Sequence, residues 1–114
     1  MVKAICIIPA RLESTRFPNK ILTDIQGMLM FERVYHIAQR SGVFLKVFVA
    51  TPNPEILDLC EQRGIASIPT SFEHPCGSAR VFEAAKTVEG DWDIVVNLQA
   101  DQPFLPLSYL KTVV

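Results

Sequence analysis

The chain has 114 residues, 49% of them hydrophobic and 20% charged, with eleven basic side chains against twelve acidic ones. This is enough apolar material for a core and too little chain for two full domains. A formal charge of -1 leaves no polybasic field for sequence-independent binding, so no nucleic-acid partner is expected.

The N-terminal run MVKAICIIPAR closes early on Pro9 and Arg11. It is too short for a signal peptide, and a membrane span needs about 20 apolar residues. The expectation is a cytoplasmic protein with no membrane partner. Cys6, Cys60 and Cys76 are odd in number and show no C-x-x-C spacing, which argues against a disulfide framework or zinc site. Cys6 and Cys60 sit in apolar segments and read as small buried hydrophobes.

Residues 3–8 form a nearly continuous apolar run, the pattern of a strand buried on both faces. Over 28–40, Phe31, Val34, Tyr35 and Ala38 share one helical face, and Gly42 is the stop. A second buried strand is predicted at 44–50, then a helix over 54–63 with Ile56, Leu59 and Cys60 on one face and Gly64 as its stop. Ile65 to Ile68 reads as a short strand. Val81, Ala84, Ala85 and Val88 predict a helix over 78–88. Residues 93–98 read as a further buried strand, and 106–114 as the start of another helix. The order β-α-β-α-β-α-β implies an α/β sandwich with a mostly parallel sheet, because parallel strands need helical crossovers. In such sheets ligands bind beyond the carboxyl ends of the strands. The chemistry is therefore sought after 3–8, after 65–68 and after 93–98.

The first stretch, PARLESTRFPNK, places three cations and two hydroxyls within ten positions directly after a buried strand. Such a loop can offer arginine forks, an ammonium and backbone N–H groups to a polyphosphate. It matches neither the P-loop nor the dinucleotide fingerprint. Its bland alternative is a solvated basic turn. In the second stretch, Gly77 permits close backbone approach, Ser78 can cap the following helix and Arg80 offers a planar fork to a carboxylate. His74 and Cys76 read as loop residues without chemistry. In the third, Asp101 lies just past a buried strand, a usual place for a magnesium ligand. A turn residue is its bland alternative.

These stretches carry a family resemblance. Ile8-Pro9-Ala10-Arg11, Ser14-Thr15-Arg16-Phe17-Pro18, Lys20 and Leu22 resemble the signature of the cytidylyltransferases that activate 3-deoxy-manno-octulosonate (Kdo). Thr70, Ser71, His74, Gly77 and Arg80 match a second family pattern, T-S-x-x-H-x-S-G-T-D-R. There Cys76, Ser78 and Ala79 replace Ser, Thr and Asp. Asn97, Gln99, Asp101 and Pro103 match V-N-x-Q-G-D-E-P, with Ala100 and Gln102 replacing Gly and Glu. Pro52 stands where the family carries an acidic residue.

The resemblance implies a Rossmann-like three-layer α/β/α sandwich of the nucleotide-diphospho-sugar transferase type. It implies transfer of CMP from CTP to Kdo, with pyrophosphate released, and Mg2+ as cofactor. Arg11, Lys20 and Asp101 would be catalytic, and Asp101 the metal ligand. Ala10, Arg11, Ser14, Lys20, Gly77 and Ser78 would bind the nucleotide, while Arg80 and Gln99 would contact the sugar. Family members are about twice as long as this chain and typically dimeric. Residues 1–114 are therefore expected to be the nucleotide-binding portion of a truncated domain that is a homodimer at full length. Two alternatives stand beside this reading: a cytidylyltransferase for a related sugar acid, and a nucleotide-binding homologue or fragment without catalysis.

Overall fold

The computed structural model describes residues 3–11, 22, 24–25, 27–71, 77–88, 90 and 92–98. Its elements in chain order are β1 (Ala4–Pro9), β2 (Asp24–Ile25), β3 (Met28–Leu29), α1 (Met30–Arg40), β4 (Lys46–Thr51), α2 (Pro54–Gln62), β5 (Ser67–Pro69), α3 (Gly77–Ala85) and β6 (Ile94–Asn97). The four longer strands form one parallel sheet in the order β5-β4-β1-β6.

β1 is the central strand, and alternation along it builds two cores. Cys6 and Ile8 face α1 and α2, where they join Phe31, Val34, Val49, Ile56 and Cys60. Ile5 and Ile7 face α3, where they meet Ala50, Ile68, Val81 and Ala84. All four β1 side chains are 0–1% exposed. An apolar run without polar interruption is what a strand covered by helices on both faces requires. The expected three-layer α/β/α sandwich is the observed architecture.

The helices follow their apolar spacing. Phe31, Val34, Tyr35 and Ala38 are all buried on α1. The Tyr35 hydroxyl accepts a hydrogen bond from the Ala66 N–H at 3.3 Å, which fastens α1 to the segment leading into β5. Glu32, which the helical spacing did not single out, is buried at 7% exposure. Its Oε1 accepts the Leu29 N–H at 3.2 Å and lies 3.0 Å from Arg63 Nη1, joining the start of α1 to the end of α2. Gly64 ends α2 at a φ of 69°, in the left-handed region that favours glycine.

Three differences from the sequence reading have physical reasons. β6, expected as a buried strand, has Ile94 39% exposed and Val95 and Val96 half-buried, because it stands at the edge of the sheet with no strand beyond it among the described residues. The antiparallel ribbon β2–β3 was not foreseen, because two-residue strands are shorter than any hydrophobic period. Its turn rests on Gly27, at a φ of 87°, whose N–H donates to Asp24 Oδ1 at 2.8 Å. Helix α3 starts at Gly77, so Ser78 lies inside it rather than at its cap. The helix expected over 106–114 lies outside the described residues. Among the described residues, no helix is long and apolar enough to cross a membrane.

Candidate functional site

The four parallel strands end on one edge, at Pro9, Thr51, Pro69 and Asn97. The strand order reverses there. The chain steps from β1 outward to β4 and β5, and α3 then carries it back across to β6 on the other side of β1. The switch point therefore lies between β1 and β6, where a crevice opens in open α/β sheets. β1 and β6 are paired neighbours up to this edge, and Leu98, the residue after β6, donates its N–H to the Ile7 carbonyl within β1 at 3.2 Å.

At the end of β1, Ala10 continues the pairing with β4 through its N–H to the Ala50 carbonyl at 2.8 Å. Its side chain is 1% exposed and belongs to the core on the α1 and α2 face. The Ala10 N–H is thus committed to the sheet, and any ligand contact at this position falls to the rest of its backbone. Arg11 is the first exposed residue beyond the strand. Ser14 and Lys20 lie outside the described residues.

At the end of β5, Thr70 N–H donates to the Thr51 carbonyl at 3.0 Å, tying this turn to β4. Arg80, on α3, is 3% exposed. Its Nε donates to Thr70 Oγ1 and its Nη2 to the Ser71 carbonyl, each at 3.0 Å. The family resemblance implied a sugar contact for this guanidinium, with Ala79 standing where the family carries an acid. The guanidinium takes its support from the post-β5 turn. Glu83, which sequence reasoning passed over, accepts the Ser71 N–H at 3.2 and 3.3 Å. Its signal was its position three residues after Arg80, which puts both on one helix face.

Gly77 and Ser78 form the first turn of α3. This helix connects parallel strands and so runs opposite to them, with its N-terminus on the same edge as the strand ends. The partial positive charge of a helix N-terminus favours anionic groups on that edge. Gln99 and Asp101 lie outside the described residues, as do His74 and Cys76. No group of three or more His, Cys, Asp or Glu side chains suited to a metal ion forms among the described residues. Cys6 and Cys60 are buried free thiols, as expected. Asp93 acts structurally: its Oδ2 accepts the Lys3 N–H at 2.9 Å where β1 and β6 begin.

Comparison with known proteins agrees with this geometry. The cytidylyltransferase family model matches residues 5–114. A 3-deoxy-manno-octulosonate cytidylyltransferase of Koribacter versatilis is 44% identical over 111 residues, covering 97% of this chain and 42% of the relative. The enzyme of that name from Francisella tularensis subsp. novicida is 42% identical over 106 residues, covering 92% of this chain and 42% of its own length. A solved CMP:2-keto-3-deoxy-manno-octonic acid synthetase, in complex with CTP, is 36% identical and superposes with a TM-score of 0.90, covering 96% of this chain and 45% of that one. The chain thus spans less than half the length of these relatives. With the motif segments leaving one edge of a doubly wound sheet and the family model matching nearly every residue, the chain belongs to the cytidylyltransferase family.

Proposed function

We propose that the protein, at the length of its relatives, is a cytoplasmic enzyme that transfers CMP from CTP to Kdo, supplying CMP-Kdo for lipopolysaccharide synthesis. The observation that carries this reading is the 0.90 TM-score to a CTP-bound CMP-Kdo synthetase, reached over 96% of this chain. The sheet topology supports it, because β1 and β6, the strands that lead into the Arg11 segment and the segment after Leu98, are paired neighbours.

In the proposed reaction the anomeric hydroxyl oxygen of the sugar acid bonds to the α-phosphorus of CTP. The bond from that phosphorus to the bridging oxygen breaks, the hydroxyl proton is lost to solvent and pyrophosphate departs. No covalent enzyme intermediate is needed, so positioning and charge neutralisation supply the rate. Arg11 and Lys20 offset charge on the pyrophosphate, and Ser14 lines the phosphate site. The backbone at Ala10 and the Gly77–Ser78 turn serve the nucleotide. Gln99 takes the sugar side, and Arg80 steadies the segment that precedes the Gly77–Ser78 turn. Asp101 offers a hard carboxylate oxygen on the segment after β6, the donor type that suits Mg2+. The ion would polarise the α-phosphate. A homodimer is the proposed assembly at full length.

Calorimetric titration of CTP with magnesium into the 114-residue chain is the test. Binding is expected, and Lys20→Ala weakens it by about tenfold, the cost of one charge-assisted contact. No CTP binding overturns the reading. Pyrophosphate release by the full-length protein is then measured with a panel of 2-keto sugar acids. Release with Kdo supports the proposal, and release only with another acid transfers it to a related sugar. Binding without release favours a non-catalytic nucleotide-binding protein, the reading to which Pro52, Ala79, Ala100 and Gln102 point.

A further inference from the structure

We infer that Arg80 is a positioning residue, which together with Glu83 clamps the turn after β5 onto α3 and so fixes where the first turn of α3 sits on the carboxyl edge of the sheet. Its bearing on catalysis rests on the cytidylyl-transfer reading; the clamp itself does not.

A guanidinium has five N–H donors, and burying it away from water is costly unless those donors are met. Arg80 is 3% exposed, and its Nε and Nη2 are met at 3.0 Å by Thr70 Oγ1 and the Ser71 carbonyl. One turn further along α3, the Glu83 carboxylate takes the N–H of the same Ser71 residue. Ser71 is therefore held at its carbonyl by a cation and at its N–H by an anion, both from one helix face. The turn is also anchored to the sheet, through Thr70 N–H to the Thr51 carbonyl at the end of β4. Hydrogen bonds among Thr51, Thr70, Ser71, Arg80 and Glu83 thus link β4, the end of β5 and the first two turns of α3.

A side chain that meets a substrate carboxylate must present its donors to the site. At 3% exposure Arg80 gives its Nε and Nη2 donors to Thr70 and Ser71. The clamp uses no group at position 79, so Ala79 leaves it whole. Lysine cannot reproduce it, because one ammonium lacks the planar fork that spans a hydroxyl and a carbonyl. The functional consequence is that Arg80 acts on the nucleotide through the placement of Gly77 and Ser78.

The test uses Arg80→Lys, Glu83→Ala and the double variant, read by amide hydrogen exchange without ligand and by CTP titration. In Arg80→Lys the Ser71 amide, which Arg80 does not itself touch, is expected to exchange at least about tenfold faster, while amides of β1 and β4 keep their protection. Each single variant weakens CTP binding by roughly tenfold, and the double variant is no weaker than the worse single one, since residues acting as one unit are non-additive. Unchanged Ser71 exchange in Arg80→Lys overturns the clamp. So does a pattern in which Glu83→Ala is neutral and Arg80→Lys raises only the sugar-acid KM of the full-length protein, the signature of a direct sugar contact. If the unaltered chain fails to bind CTP, the cytidylyl-transfer reading falls, and Ser71 exchange still decides the clamp.

Discussion

At the scale of single residues, burial decides which reactive groups take part in chemistry. Burial pushes the Cys6 thiol up to about 12 and the Cys60 thiol up to about 11, against roughly 8.5 for an unperturbed cysteine. Both are then neutral and poorly nucleophilic at physiological pH. Treatment of the native chain with iodoacetamide at pH 8 should leave Cys6 and Cys60 unmodified by mass spectrometry, whereas guanidinium chloride exposes both. The same shifts set a direction for stability. The unfolded chain loses these protons first, so their contribution is intact below about pH 8.5 and is lost as pH climbs towards 11–12. Urea midpoints should fall across that window, and less steeply in Cys6→Ala. Arg80 shows the limit of reading residues singly. Its identity suggested a carboxylate ligand, while in the fold it is buried and donates to Thr70 Oγ1 and the Ser71 carbonyl.

At the scale of elements, spacing predicted the helices well and the shortest pieces poorly. The face of α1 formed by Phe31, Val34, Tyr35 and Ala38 was legible because four apolar positions repeat with the helical period. The β2–β3 ribbon was not, because its strands offer two residues each. Glycine stops were legible for a conformational reason. Gly64 adopts a φ of 69°, and a Cβ built there meets nothing within 4 Å. The cost of Gly64→Ala is therefore conformational rather than steric, about 1 kcal/mol. Urea denaturation should show that loss, and Gly64→Asn should lose less, since asparagine tolerates the left-handed region.

At the scale of the whole molecule, β1 couples the two cores because alternate side chains enter opposite faces. Ile7 lies in the α3 cluster and Ile8 in the α1 and α2 cluster, each 0% exposed. Ile7→Ala and Ile8→Ala should each cost about 2–5 kcal/mol. Trp92 packs against the α3 cluster and so reports on one face, while helix circular dichroism reports on both. Either substitution should shift both signals together. Separate transitions would show that the two layers unfold independently.

The sequence by itself determined the composition of the sandwich. The apolar run of β1 marked a strand buried on both faces, helical spacing marked the covering layers, and three motif segments carried the family resemblance. These are local properties, carried by neighbours along the chain. Only the tertiary structure decided the order β5-β4-β1-β6, which makes β1 and β6 neighbours. It alone paired Arg80 with Thr70 and Ser71, committed the Ala10 N–H to β4 and drew Glu32 and Glu83 into structural bonds. The reason is physical: a period along the chain reports which side of an element faces inward, whereas the partner of a buried polar group is chosen by whichever distant segment packs against it.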